Sequence, residues 1–486
     1  MRLNSLKIRN FRCFKNYEIE FAPRVTVLFG KNGTGKTTLM HAIHKALSFM
    51  MYSEHVKEKD AKTGKLKVVN TKSVVEGNTY LHVEGFSKQG DWFTTNDPLI
   101  EIAAEAELPA VFDNEEKFPL SWKISAYTNK AKLRPGEFLG AFRDFFSWFN
   151  YTGELPLLCY VSDSFPHKED THTRRVKRKV SKYRSYGYYN WNDESGNTKE
   201  WVARLENTIR ELERTERRIR NLEEKGDKAE AKTLYMANSI INISPEEQLY
   251  GEKEYRRLLA NEVGVIEKAL CDFSSKLEID GKRYMDVSSI GLHPDDDKLC
   301  LRLSNGELKS FRHLPAGYKR LYGIVLGIAY RSLLLNPELG ASSRGIAIID
   351  EIDLHLHPEL EKIALVAVVD TFPSLQFIVS SHSPMVLSGL KTTTGENKIL
   401  RLSLGEESPL QIPDVYGLDY NSIVQEIMNV GASDPELQRL IDRCAYLYKS
   451  GYEDRAGALR AQLVERNMIS LDALQSRIEK AMEELE

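Results

Sequence analysis

Val25-Thr26-Val27-Leu28-Phe29-Gly30-Lys31-Asn32-Gly33-Thr34-Gly35-Lys36-Thr37 decides the fold. Its first five residues form a mostly apolar run, which suits a strand buried on both faces. The run leads directly into Gly-x4-Gly-Lys-Thr, the P-loop (Walker A) pattern. Such a loop needs glycines so that successive backbone N–H groups can curl around phosphate, and Gly30, Gly33 and Gly35 supply that freedom. Residues 38–49 read as a helix, whose positive end points at the same anion. Lys36 is expected to reach the β- and γ-phosphates of ATP, and the Thr37 hydroxyl to ligate Mg2+. Lys31, Asn32, Thr34 and Thr38 complete the expected nucleotide contacts.

A P-loop needs an acidic partner at the end of another buried strand. Ile346-Ala347-Ile348-Ile349-Asp350-Glu351 fits that requirement. Asp350 is expected in the magnesium shell, as a Walker B aspartate is. Glu351, one residue on, is placed to polarise the attacking water. Ile378-Val379-Ser380-Ser381-His382 puts a histidine just beyond a third buried strand, where it can contact the γ-phosphate; the plainer reading is a strand-end histidine with a structural hydrogen bond. Buried strands at residues 155–161, 345–350 and 375–380, alternating with helical patterns, argue for a mainly parallel α/β sheet.

Length and composition bound the rest. A chain of 486 residues is too long for one ordinary core, so two or three units are expected. The net charge of −3 argues against nucleic-acid binding by the whole surface and leaves only local basic patches. The five cysteines are scattered, without zinc spacing, and read as reduced thiols of a cytoplasmic protein. No apolar stretch is long enough to span a membrane. His41 and His44, three apart, read as packing residues rather than metal ligands, and His355-x-His357 as a loop at a dimer interface.

Leu314-Pro315-Ala316-Gly317-Tyr318-Lys319-Arg320 resembles the ABC-type signature, usually Leu-Ser-x-Gly-x-x-Arg. His382 resembles the switch histidine of that superfamily. The wide separation of Lys36 and Asp350, the opening Leu6-Lys7-Ile8-Arg9-Asn10-Phe11-Arg12-Cys13-Phe14, and Asp350-Glu351-Ile352-Asp353-Leu354-His355-Leu356-His357-Pro358 are similar to the SMC, RecF and OLD group. The resemblance implies an ABC-ATPase-like head interrupted by a helical insertion. It also implies that Gly317 and Lys319 meet the nucleotide of a second copy of the chain, in an ATP-sandwich dimer or larger homo-oligomer. Pro315 replaces the serine that usually donates to the γ-phosphate, so slow hydrolysis is implied. The Q-loop glutamine is not evident; Gln89 is a candidate in the wrong context.

Between the two halves, Arg174-Arg175-Val176-Lys177-Arg178-Lys179 is a basic run. Tyr183, Tyr186, Tyr188, Tyr189 and Trp191 follow it. Cations beside stacking rings suit DNA or RNA contact over 174–184; a solvated loop beside an aromatic packing cluster is the alternative. A charged helix over 199–225 carries a 3-4 apolar seam interrupted by Glu216, and a second helix over 228–241 is expected to fold back on it. After residue 419 the tail reads as about three short helices, with breaks at Gly451 and Asn467.

Val415-Tyr416-Gly417-Leu418-Asp419-Tyr420-Asn421-Ser422-Ile423-Val424-Gln425-Glu426-Ile427-Met428 and residues 314–331 are similar to the PtuA-like ATPases of Septu and retron anti-phage systems. That resemblance implies an HNH nuclease partner (PtuB-like) held and gated by the ATPase. The alternatives are a RecF/SMC-like DNA-repair ATPase and an OLD-type nuclease; the short segment after His382 argues against the latter. The expected organisation is residues 1–163 as the first half of the head, 164–275 as the basic segment and insertion, 276–412 as the second half, and 413–486 as a partner-binding tail.

Overall fold

The computed structural model describes residues 1–60, 66–75, 81–110 (except 89 and 95), 117–127, 132–162, 183–191, 198–225, 232–279 (except 237, 238 and 244), 281–418 (except 284), 420–427, 435–465 and 471–484. Two compact units result, Met1–Gly417 and Leu418–Glu486. The first unit holds both P-loop halves and the insertion; its end falls five residues beyond the expected 412.

Strands β1 (Arg2–Phe11), β2 (Phe14–Glu20) and β3 (Val25–Phe29) open the chain, followed by the P-loop helix Lys36–Leu47. An antiparallel ribbon follows, β4 (Glu54–Lys59) and β5 (Leu66–Lys72). Then come β6 (Leu99–Leu108), β7 (Phe118–Tyr127), the helix Leu139–Thr152 and β8 (Leu157–Val161). Alternation along β6 buries Ile100, Ile102, Ala104, Ala106 and Leu108 on one face. That strand sits in an antiparallel sheet of order β2-β1-β6-β7. The sheet closes over the P-loop helix, where Trp122 Nε1 donates to Ala46 O at 2.8 Å and Phe49 lies 4.3 Å from the Trp122 ring.

The insertion holds the helix Thr198–Lys225, the hairpin β9 (Lys232–Met236) and β10 (Ser239–Ile243), and the helix Pro245–Lys276. The expected second helix over 228–241 is thus corrected: a hairpin occupies it, and the returning helix starts later. Ion pairs Arg204–Glu262, Arg256–Glu216 and Arg218–Glu252 join rising to falling residue numbers, so the two helices run antiparallel. Glu216, the break in the seam, is answered across the pair by Arg256 at 3.0 Å.

Past the insertion lie β11 (Glu278–Ile279), β12 (Lys282–Arg283) and the small sheet β13 (Val287–Leu292), β14 (Leu299–Leu303) and β15 (Leu308–Ser310). The helix Ala316–Leu335 then leads to β16 (Gly345–Ile349), the helix Pro358–Thr371, β17 (Leu375–Ser381), β18 (Asn397–Arg401) and β19 (Leu410–Ile412). The main sheet has the order β19-β18-β3-β17-β16-β8. All but β19 are parallel neighbours, and β3, β8, β16 and β17 are buried throughout. Parallel pairing puts the carboxyl ends of these four strands on one edge, where ligands bind in open α/β sheets.

The second unit contains helices Pro435–Lys449, Glu453–Glu465 and Leu471–Glu484 around Ile441, Cys444, Ala445, Leu463, Leu474 and Ile478. Among the described residues no helix is long and apolar enough to cross a membrane.

Candidate nucleotide site

Register alone brings the expected acid to the P-loop side of the sheet. Ile349 pairs with Val379 of β17 and with Val161 of β8, so Asp350 falls level with Ser380 and Ser162. Ser381 pairs with Phe29, which places His382 level with Gly30. Asp350 is 3% exposed. Thr37 Oγ1 donates to its Oδ2 at 3.0 Å, Ser162 Oγ lies 3.5 Å from the same oxygen, and Ser380 Oγ donates to Oδ1. A hydroxyl and a carboxylate oxygen side by side are the hard donors that Mg2+ takes, with phosphate oxygens and waters filling its octahedron. Thr37 and Asp350 therefore fit a magnesium ion.

Lys36 begins the P-loop helix and is almost wholly buried. Its Nζ donates to Gly30 O at 2.8 Å and Lys31 O at 3.1 Å, curling the loop around the ammonium. Burial pulls its pKa below the usual lysine value, while Asp350, Glu351 and Asp353 oppose that. Thr34 turns back on the loop through Oγ1 to Lys31 O at 2.9 Å. Lys31, Asn32 and Gly33 are exposed, and Thr38 is half-buried on the first helical turn. Gly35 caps the helix with φ 98°, and a Cβ there would lie 2.7 Å from Phe14 Cζ and 2.8 Å from Cys13 Sγ. A side chain there would collide with these two residues, so the loop can pack on them only with glycine at this left-handed position.

Glu351 is half-buried and holds φ 53°, a left-handed conformation that a non-glycine residue adopts at a cost of about 1 kcal/mol or more. Arg320 secures this bend, donating to Asp350 O at 2.7 Å and Glu351 O at 3.0 Å. His382 N faces the Asp353 carboxylate at 3.4 Å. Burial, then Lys36, lowers the His382 pKa below the ordinary histidine value; Asp353, Glu351 and Asp350 only partly oppose them. A neutral imidazole, which this shift favours, can donate one hydrogen bond and accept another.

Gly317 has a reason of its own in the same chain. A Cβ there would lie 2.6 Å from His355 O and 2.7 Å from Leu356 Cδ2. It locks the signature turn onto the loop after Asp350. Pro315, Ala316 and Lys319 are exposed beside it, and Lys319 Nζ donates to Arg312 O at 3.3 Å. Within one chain, then, Gly30–Thr38, Asp350, Glu351 and His382 gather at one sheet edge, whereas Pro315, Ala316 and Lys319 present an open surface.

Three partnerships around Asp350 escaped the sequence reading. Ser162, Ser380 and Arg320 all fix the Asp350–Glu351 bend. Polar residues ending buried strands were the available signal, but only the strand order shows which of them meet. Of the five rings expected to stack, Tyr183 is exposed; for Tyr186, Tyr188, Tyr189 and Trp191, which are buried, the expectation is corrected to the alternative, a packing cluster. The turn that carries them is held by the Arg331 guanidinium, which donates to the Gly187, Tyr189 and Asn190 carbonyls. Arg184 donates to Leu335 O at 2.9 Å. The basic run Arg174–Lys179 and Gln89 lie outside the described residues. His41 and His44 bond to each other at 3.2 Å, and His44 faces Glu84 at 3.1 Å. His357 caps the helix Pro358–Thr371. Among the described residues no group of three His, Cys, Asp or Glu could hold a metal.

A family model described as an AAA domain matches residues 5–270. The Retron Vc95 probable ATPase of Vibrio cholerae serotype O1 biovar El Tor is 26% identical over 480 residues, covering 93% of this chain and 85% of that protein. The Septu protein PtuA of Bacillus thuringiensis is 26% identical over 147 residues, 28% of this chain and 36% of that protein. Among solved structures, the Smc head domain with an extended coiled coil from Pyrococcus furiosus, bound to the C-terminal domain of ScpA, matches with TM-score 0.38 and 13% identity, over 85% of this chain and 96% of that one.

Proposed function

The chain belongs to the AAA domain family, among its PtuA-like ATPases of retron and Septu defence systems, and on that premise we propose that it is an ATP-hydrolysing regulatory subunit that assembles with and controls an HNH nuclease. The observation that carries the ATPase reading is the 3.0 Å contact between Thr37 and Asp350, across two strands, beside a buried Lys36. Backbone N–H groups of the Gly30–Gly35 loop and the Lys36 ammonium bind the phosphates. Thr37 and Asp350 hold Mg2+, which when bound neutralises charge on the β- and γ-phosphates. Glu351 orients the attacking water and takes up its proton. His382, neutral and level with Gly30, hydrogen-bonds the γ-phosphate and loses that partner on its release. The exposed surface of a second copy at Pro315, Ala316 and Lys319, backed by the buried Gly317, closes the site.

The direct test is a pair of substitutions. Lys36→Ala should abolish binding of a fluorescent ATP analogue. Glu351→Gln should bind it normally yet release phosphate roughly a hundredfold or more slowly. Normal turnover by Glu351→Gln would remove that residue from its role. The nuclease reading is tested by co-expression with an HNH protein encoded beside this chain and recovery of a stable complex.

A further inference from the structure

We propose that Ser380 is a positioning residue for this site: its hydroxyl selects which oxygen Asp350 presents to magnesium and holds the backbone that aims Glu351. The inference rests on the roles given above to Asp350 and Glu351.

Ser380 is 0% exposed and lies on β17, between the P-loop strand β3 and β16. Its Oγ donates to Asp350 Oδ1 and accepts from the Glu351 N–H at 2.8 Å. One hydroxyl proton and one lone pair are thereby committed to two neighbouring residues. A carboxylate can turn about its last torsion with little preference. With Oδ1 clamped by Ser380, Oδ2 is the oxygen left facing Thr37 at 3.0 Å. The second bond acts on Glu351. Its φ of 53° carries a strain that neighbouring contacts must offset. Ser380 brackets it, with Oγ taking the Glu351 N–H and its own carbonyl taking the Ile352 N–H at 3.1 Å. Arg320 holds the carbonyls of Asp350 and Glu351 from the opposite side. Of these contacts, only the serine hydroxyl touches both the metal carboxylate and the backbone of the base. Its removal leaves a buried carboxylate oxygen and a buried N–H each short of a partner.

Ser380→Ala in the full chain tests this by three readings: ATP-analogue binding in excess chelator, the Mg2+ concentration for half-maximal turnover, and kcat. Metal-free nucleotide binding is expected to stay within about twofold. The Mg2+ half-saturation should rise and kcat fall, each by roughly tenfold, as for other groups that orient a metal ligand. Ser380→Thr and Ser380→Val share one shape and differ in the hydroxyl, so they serve if the alanine variant does not fold: threonine should keep turnover and valine should not. Wild-type Mg2+ dependence and kcat in Ser380→Ala, or equal behaviour of threonine and valine, would overturn the proposal. If the wild-type chain itself shows no Mg2+-dependent turnover, the assignment of Asp350 fails instead, and the two outcomes are distinct.

Discussion

Pro315 is the N-cap of the signature helix and supplies no side-chain hydrogen bond there. Pro315 therefore gives the first N–H groups of that helix no side-chain cap, and the usual serine hydroxyl is missing from the face a second copy would offer. Pro315→Ser should restore both. A cap is worth about 1 kcal/mol to the helix. A hydrogen bond to a charged phosphate that strengthens in the transition state is worth somewhat more, so turnover should rise about tenfold. Steady-state phosphate release checks this, and an unchanged rate would mean that the signature turn does not meet the nucleotide. At this scale the sequence was legible wherever chemistry demands a residue type at a fixed spacing, as in Gly30 to Thr37. It was silent on the partnership of Ser380 with Asp350, which depends on which strands are neighbours, and on the close approach of Gly317 to His355, which is a tertiary contact.

The P-loop helix carries a second consequence on its far side. Burial, then the charges of His44, Arg12 and Lys45, push the His41 pKa down to about 3. The unfolded chain has an ordinary histidine there, near 6.5, so between these values the unfolded state binds the extra proton. Stability is therefore full above pH 6.5 and falls as pH drops toward 3. The expected loss at pH 5 is on the order of 1 kcal/mol, reduced by partial solvent screening. Denaturant titrations at pH 7.5 and pH 5 should show it, and His41→Asn should flatten the difference; an equal slope would clear His41. In the tail unit, Tyr446 on the helix Pro435–Lys449 and Tyr452 just before the helix Glu453–Glu465 are 61% and 54% exposed. If the tail binds the nuclease, replacing both with Asp should lose the partner in pull-down while ATP turnover stays unchanged. Buried parallel strands and the tail helices were readable as elements because each has a continuous or periodic apolar pattern. The hairpin β9–β10 was misread as helix because Lys228-Ala229-Glu230-Ala231-Lys232 favours helix before the β-branched Ile240-Ile241-Asn242-Ile243 takes over. The returning helix has a start signal, Ser244-Pro245-Glu246-Glu247, but a weak apolar period, with Tyr250, Tyr255 and Leu258 exposed.

For the whole molecule, the division of the site is the main point. One chain brings the P-loop, Asp350, Glu351 and His382 to one sheet edge, yet leaves the signature surface at Pro315, Ala316 and Lys319 open. The long helix from Ala316 to Leu335 joins that surface to the base of the insertion, where Tyr330 stacks on Trp201 at 5.4 Å and Arg331 holds the 187–190 turn. One continuous helix therefore links that turn to the base of the two antiparallel helices. The central claim is that ATP is bound between two copies of the chain, and mass measurement in solution tests it most directly. Glu351→Gln, expected to bind ATP and to turn it over slowly, should at least double its mass with ATP and Mg2+ relative to the nucleotide-free protein. ADP, or ATP added to the Lys36→Ala variant, should leave the mass unchanged. A Glu351→Gln protein that binds ATP with no change of mass would contradict the account.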